Sequence, residues 1–349
     1  MKQMFEALEK QSLDAMWITS AANVRYLTQF SAPRDASVLV SNGEILLITD
    51  ARYGLQAQQE YQGPAFIWNQ PQDGYGHLER LLQGKRVGFE RQHLTVNVYE
   101  LISGWTSVHW QGTSNLVERL RMHKTPYEIE QIQKAQSIAD GALSHVLPKL
   151  VPGVRECDIA LQLEVEMRSR GASGPAFEIT VASGKRSALP HGTASTKVIE
   201  EGDWVTIDMG AVVEGYHSDM TRSYPIGNAS SQLLDRYRAV REAKLAVLSQ
   251  IKAGVGCADM DRLARDILAE KGYANEFIHS LGHGVGLEIH EEPKLSFRAH
   301  PEDRFEVGMV VTVEPGLYVP DLGGIRLEDL IVVTETGCEV LSQAEELDL

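Results

Sequence analysis

At 349 residues, with 43% hydrophobic and 23% charged positions, the chain has the length for two ordinary domains and the composition of a globular protein with a large core. Its 33 Lys and Arg against 48 Asp and Glu give a formal charge of −15, which argues against nucleic acid or an anionic membrane as the main partner, since phosphate binding needs clustered positive charge. Three distant cysteines, Cys157, Cys257 and Cys338, leave no basis for a disulfide framework or a cysteine-built zinc site and point to a reducing cytoplasm.

Residues 1–15 set Met4, Phe5 and Leu8 among Lys2, Glu6, Glu9 and Lys10, which predicts an amphipathic helix without the apolar run of a signal peptide. No later stretch approaches 18 consecutive apolar residues, so no membrane span is expected. Between Asp14 and about Leu120, apolar runs at 15–19, 37–40, 45–49 and 86–89 alternate with helical patterns such as Leu78, Leu81 and Leu82. Asn42-Gly43 separates two of the runs, a hairpin signal. This half reads as an α/β domain with a mixed sheet.

At Thr125 the pattern changes. Thr125-Pro126-Tyr127-Glu128 places a capping threonine, a first-turn proline and an N3 glutamate ahead of Ile129, Ile132, Ile138, Ala139, Ala142, Leu143 and Val146, which predicts a long helix. The domain boundary is expected near Arg121, giving domains 1–121 and 122–349. The second domain carries an internal echo: Gly202-Asp203-Trp204-Val205-Thr206-Ile207-Asp208 matches Gly308-Met309-Val310-Val311-Thr312-Val313-Glu314. Each copy ends a strand-like run in a carboxylate, with threonine two residues earlier. A second acidic strand follows each: Asp219 in one, Glu328 in the other. Two related halves are expected.

A tight turn centred on Glu214-Gly215 would pair Asp208 with Thr221 and put Asp219 on the face of Asp208, with Val205, Ile207 and Met209 turned to a core. The echo gives Glu314 and Glu328 the same setting. Four converging carboxylates repel one another unless countered, and two divalent cations would cancel Asp208, Asp219, Glu314 and Glu328. The segment from His279 to Pro293 offers three histidines. His279 and His283 have i,i+4 spacing, but the glutamate of a helical zinc-protease motif is absent and glycines crowd His283. The glycines indicate backbone approaching closely to its surroundings, so His283 is the expected ligand, with His279 and His290 near the substrate.

The order Asp-x10-Asp, Gly-His-Gly-x-Gly, Val-Glu-Pro-Gly and Arg-x-Glu resembles the dinuclear metallopeptidases of the pita-bread fold, over essentially the whole chain. Ser187-Ala188-Leu189-Pro190-His191-Gly192, Asp219-Met220-Thr221-Arg222 and His290-Glu291-Glu292-Pro293 fit the Xaa-Pro branch, the prolidases and aminopeptidases P, as do Tyr26-Leu27-Thr28 and Thr49-Asp50-Ala51-Arg52-Tyr53 in the N-terminal domain. The resemblance implies an α+β chain, with a creatinase-like α/β domain ahead of a pseudo-twofold catalytic domain. It makes Asp208, Asp219, His283, Glu314 and Glu328 the ligands of two divalent ions, with Asp219 and Glu328 shared by both. Mn2+ or Zn2+ is the first expectation, and Co2+ or Fe2+ also suits such donors. It assigns supporting roles to His191, His279, His290 and Arg326, and it implies a homodimer.

The expected activity is metal-dependent removal of an N-terminal residue from proline, as an Xaa-Pro dipeptidase, with water activated between the cations and Glu314 as general base. His191 and His290 would orient the substrate and stabilise the developing oxyanion. Proline lacks an N–H, so its ring must be gripped by apolar contact. The alternatives are an Xaa-Pro aminopeptidase acting on longer peptides, a methionine aminopeptidase and a non-catalytic binding protein on the same scaffold. His77, His93, His109, His123, His145, His217 and His300 lack a supporting constellation and read as surface or structural. Tyr216 and Tyr318 read as packing residues that could line the cleft.

Overall fold

The structure is a computed structural model that describes residues 2–228 and 230–347 and divides into two compact units, 1–121 and 122–349. In the first unit, β1 (Ala15–Ile18), β2 (Ala36–Ser41), β3 (Glu44–Asp50), β4 (Ala65–Trp68), β5 (Arg86–Glu90) and β6 (His109–Thr113) form one sheet in the order β4-β3-β2-β1-β5-β6. The β1–β2 and β2–β3 pairs are antiparallel, and the remaining neighbours are parallel. This is the mixed sheet expected. Asn42 and Gly43 take φ values of 53° and 81°, the turn geometry that closes a two-residue hairpin. Alternate residues serve two cores: Met16, Ile18, Val38 and Val40 fill one, while Ala15, Trp17 and Leu39 fill the other.

The first helix spans Lys2–Lys10 and stops short of the predicted residue 15. Ser12, at φ 54°, reverses the chain, and the N–H groups of Ser12 and Leu13 donate back to the carbonyls of Glu9 and Leu8 at 2.9 and 3.0 Å. That pair of bonds caps the helix and frees Ala15 for β1.

The second unit opens with the helix Pro126–Val146. Thr125 Oγ1 accepts from the Glu128 N–H at 3.4 Å, and the Glu128 carboxylate accepts from the Thr125 N–H at 2.9 Å, the reciprocal cap expected. Replacing Thr125 with alanine should cost about 1 kcal/mol, measured by urea unfolding.

Thirteen further strands follow among the described residues: β7 (Gly174–Pro175), β8 (Thr180–Ser183), β9 (Trp204–Met209), β10 (Ala211–Val213), β11 (Tyr216–His217), β12 (Met220–Pro225), β13 (Gly282–Gly284), β14 (Glu291–Leu295), β15 (Val310–Val313), β16 (Gly316–Val319), β17 (Gly323–Arg326), β18 (Asp329–Val333) and β19 (Cys338–Val340). The helices Pro126–Val146 and Glu156–Ser169 share a core with the sheet β12-β9-β8 through Leu143, Leu163, Val181 and Ile207. The helices Ser231–Gln250 and Cys257–Glu270 share another with the sheet β14-β13-β15-β18-β19 through Val247, Ala264, Val311 and Ile331. The echo in sequence is thus an echo in architecture, a helix pair on a sheet made twice.

A C-terminal strap, residues 341–347, touches both halves. The Gln343 N–H donates to Asp140 at 3.0 Å, and Arg222 Nε donates to the Ala344 carbonyl at 3.0 Å. The Leu347 N–H donates to the Tyr237 hydroxyl at 2.9 Å, and Glu346 pairs with buried Lys244, which also pairs with Asp329. No helix among the described residues is long and apolar enough to cross a membrane.

Candidate metal centre

Two hairpins deliver the acids. In β9–β12 Asp208 faces Thr221, and Glu214 and Gly215 make the intervening turn at φ 49° and 80°. The hairpin is broken at Gly210, where a side chain would collide with the Ser218 carbonyl, and the Ser218 hydroxyl accepts from the Ala211 N–H at 3.0 Å. Asp219 sits at this break and is buried. In β15–β18 Val313 faces Asp329, so Glu314 and Glu328 occupy adjoining strand ends. His283 lies between Gly282 and Gly284 on β13; a Cβ at either glycine would strike the carbonyl of Thr312 or Glu292, so only glycine permits this approach.

One donor atom each from Asp219, His283 and Glu328 lie within 4.8 Å of one another. His283 Nε2 stands 3.6 Å from Asp219 and 3.5 Å from Glu314. Its Nδ1 is 3.0 Å from the Gly284 carbonyl, to which it donates, so the Nε2 lone pair faces the acids. The Thr221 hydroxyl donates to Glu328 at 2.6 Å, and the Thr312 hydroxyl donates to Glu314 at 3.2 Å while accepting from the His283 N–H at 3.1 Å.

Asp208 is drawn toward Arg326, whose Nη2 donates to Oδ2 at 2.6 Å; Oδ1 is buried and without a hydrogen-bond partner among the described residues. Arg326 also donates to the Thr221 hydroxyl at 3.0 Å, the Tyr318 hydroxyl at 2.7 Å and the Pro190 carbonyl at 3.0 Å. Tyr318 in turn lies 3.0 Å from His279 Nε2, the acceptor there because His279 Nδ1 donates to the Ser280 carbonyl at 2.8 Å. His279 therefore meets the cluster through Tyr318 and through Glu314, 4.0 Å from its Nδ1. The His290 ring lies 4.1 Å from that of His283. His191 is exposed on the segment after β8.

Electrostatics give the arrangement its meaning. Burial, and then the Glu328, Asp208 and Glu314 carboxylates, hold Asp219 well above the usual carboxylate range; burial and Glu328 do the same to Glu314. Burial and Asp208 push Glu328 up to about 8. Burial and His290 bring His283 down to about 4, and burial and Arg326 bring His279 down to about 3, so both imidazoles are neutral at pH 7. Burial likewise lowers His290. A neutral imidazole and crowded, desolvated carboxylates with an unpartnered Oδ1 are a donor set that a divalent cation satisfies and that is costly without one.

The structure gathers Asp219, His283 and Glu328 most tightly, adds Glu314 through His283 and Asp208 through Arg326, and sets His279 and His290 against that group. Tyr318, read as a packing residue that could line the cleft, joins the site through Arg326 and His279, whereas the bonds of Thr221 and Thr312 to the acids are absent from the sequence reading. Both threonines stood in quoted motifs, one two residues after Asp219 and one two before Glu314, which was the available signal. Of the other histidines, His93 lies by Glu118 at 3.8 Å, His145 by Glu166 at 3.3 Å and His77 stacked on Phe66, while His217 Nδ1 lies 3.1 Å from the Gly286 carbonyl. Tyr216 bonds to Glu128 at 3.1 Å, a structural contact.

Comparison with known proteins places the chain in a family. Residues 130–335 match the model of metallopeptidase family M24, and residues 1–123 match the creatinase/prolidase N-terminal domain. The chain is 36% identical over 346 residues to the Xaa-Pro dipeptidase of Pyrococcus furiosus, covering 99% of this chain and 98% of that protein. It superimposes on a solved Xaa-Pro dipeptidase from Bacillus anthracis with TM-score 0.94 and 41% identity, covering 99% and 97% of the two chains. It also superimposes on an X-Pro aminopeptidase from Thermotoga maritima with TM-score 0.88 and 36% identity, covering 98% and 99%. With the family model spanning more than half of its length and such relatives matching nearly all of it, the chain belongs to metallopeptidase family M24, and its catalytic pita-bread domain follows a creatinase/prolidase N-terminal domain.

Proposed function

We propose that the protein is an Xaa-Pro dipeptidase that hydrolyses the bond between an N-terminal residue and proline. The observation that carries the reading is the meeting of Asp219, His283 and Glu328 donor atoms within 4.8 Å inside a catalytic domain of this family. In this reading Asp208, Asp219, His283, Glu314 and Glu328 would hold two divalent ions, Mn2+ or Zn2+ first. Bound there, the ions supply Lewis acidity to the scissile carbonyl and make nearby water more acidic. Glu314 takes the proton released by that water and returns it to the proline nitrogen. His191 and His290 orient the substrate and donate to the carbonyl oxygen as it gains charge. Arg326 holds Asp208 in place by a 2.6 Å bond while fixing Tyr318 and, through it, His279. The proposal extends to a homodimer, as the family resemblance implies, and to a reducing cytoplasm, which three unpaired cysteines support.

An Xaa-Pro aminopeptidase acting on longer peptides is the second reading, favoured by the likeness to the Thermotoga maritima structure. The test strips the protein of metal, restores Mn2+, Zn2+, Co2+ or Fe2+ in turn and compares Ala-Pro with Ala-Pro-Ala and Met-Ala. Cleavage of Ala-Pro at least about tenfold more efficiently than the tripeptide is expected. A preference for Ala-Pro-Ala favours the second reading, and a preference for Met-Ala refutes both. No hydrolysis with any of the four metals leaves a binding protein.

A further inference from the structure

Glu156 takes no part in the machinery above, yet its side chain is 0% exposed in the first turn of the helix Glu156–Ser169. Its Oε1 accepts from the Ser183 N–H at 2.7 Å and the Ser183 hydroxyl at 2.8 Å. Its Oε2 accepts from the Ser195 N–H at 3.1 Å, the Ser195 hydroxyl at 2.6 Å and the Arg186 guanidinium. Ser183 and Ser195 are the two ends of segment 184–194, which carries His191. A single buried anion therefore closes the base of that loop. Arg186 extends the closure by donating to the Thr193 carbonyl at 2.8 Å.

Between those ends the short 3-10 turn Gly184–Ala188 is seated by the Gly324 N–H, which donates to the Ser187 hydroxyl at 2.8 Å. The stretch around His191 is held through its backbone alone: the Gly192 N–H donates to the Leu189 carbonyl at 3.0 Å, the Thr193 N–H to the His191 carbonyl at 2.9 Å, and Arg326 to the Pro190 carbonyl at 3.0 Å. His191 itself is exposed, so packing does not fix it. A carboxylate suits the base because every group around it is a donor; an amide would present its own N–H2 to donors and leave some of them unmet in a buried place. A first-turn acid also favours its helix through the peptide dipoles, but that effect needs neither full burial nor five donors from a distant loop.

We propose that Glu156 is a positioning residue that sets His191 for the substrate by clamping both ends of segment 184–194. The proposal rests on the substrate role given to His191 above. The experiment uses the full-length protein loaded with Mn2+ and compares wild type, E156Q, H191A and the double variant in two measurements. Hydrogen exchange should be roughly tenfold faster across 184–194 in E156Q, with the amides of the helix Cys257–Glu270 unchanged. Hydrolysis of Ala-Pro should fall about tenfold in kcat/KM for E156Q, and the double variant should be no worse than H191A.

Unchanged exchange in the loop overturns the clamp, as does a double variant in which the two losses multiply. If H191A alone keeps wild-type activity, the role given to His191 fails and the proposal fails with it; the exchange data then show that the fault lies in that role and not in the clamp. Should E156Q not fold, S195A removes one hydroxyl from the same carboxylate, and the same pattern is expected at about threefold; its absence is equally decisive.

Discussion

Replacing Asp219 with alanine or asparagine is expected to reduce Xaa-Pro hydrolysis to background, and the asparagine is expected at the same time to make the metal-free protein more stable. Both effects follow from one feature. Asp219 is buried, and its carboxylate is raised above its ordinary range by desolvation and by Glu328, Asp208 and Glu314. In the unfolded chain the same group ionises freely, so folding without a cation must either bind a proton or bury a repelled charge. Asparagine keeps the volume and removes the ionisable group. At pH 7.5 the metal-free Asp219→Asn variant should gain roughly 1 kcal/mol or more, a rise of a few degrees in Tm by scanning calorimetry. It should also lose the rise in Tm that the wild type shows on adding Mn2+. An unchanged response to metal, or retained turnover, would remove Asp219 from the proposed ligand set.

The metal-induced rise in Tm of the wild type should itself widen between pH 6.5 and pH 8, by several degrees. Glu328, pushed up to about 8, and Asp219 and Glu314, also raised, keep protons in the folded state where the unfolded chain has lost them. Their contribution is full below the ordinary carboxylate range and is lost as pH climbs toward about 8. His283, lowered to about 4, and His279, lowered to about 3, act in the opposite sense: the unfolded imidazoles take up protons below 6.5, so stability rises with pH up to that value. Above pH 6.5 only the acids remain, and the metal-free protein weakens. Cation binding requires those acids ionised, so the loaded protein escapes the loss. Calorimetry with and without Mn2+ at the two pH values checks it; a gain that narrows toward pH 8 would contradict the site electrostatics.

Much of this centre was legible because its determinants are local. The Asn42-Gly43 turn, the Thr125–Glu128 cap and the facing of Asp208 and Thr221 follow from neighbouring residues and from period-two alternation. The first helix was read too long because its apolar pattern gives no sign that Ser12 turns left-handed. Arg326 was expected near the acids by resemblance, but its bonds to Tyr318 and Pro190 join residues far apart in sequence. Tyr318 read as packing for the same reason, since a tyrosine in a strand has no local mark of the arginine and histidine it will meet. Glu156 carries no mark in the sequence, because its partners lie 27 and 39 residues downstream.

The strap at 341–347 bears on how the catalytic unit comes apart. Its bonds run to Asp140 in one helix pair and to Tyr237 and Lys244 in the other, so loosening either half breaks contacts that the other half also uses. The two halves are thereby coupled in unfolding, and the catalytic unit should melt in one cooperative step despite having two separate cores.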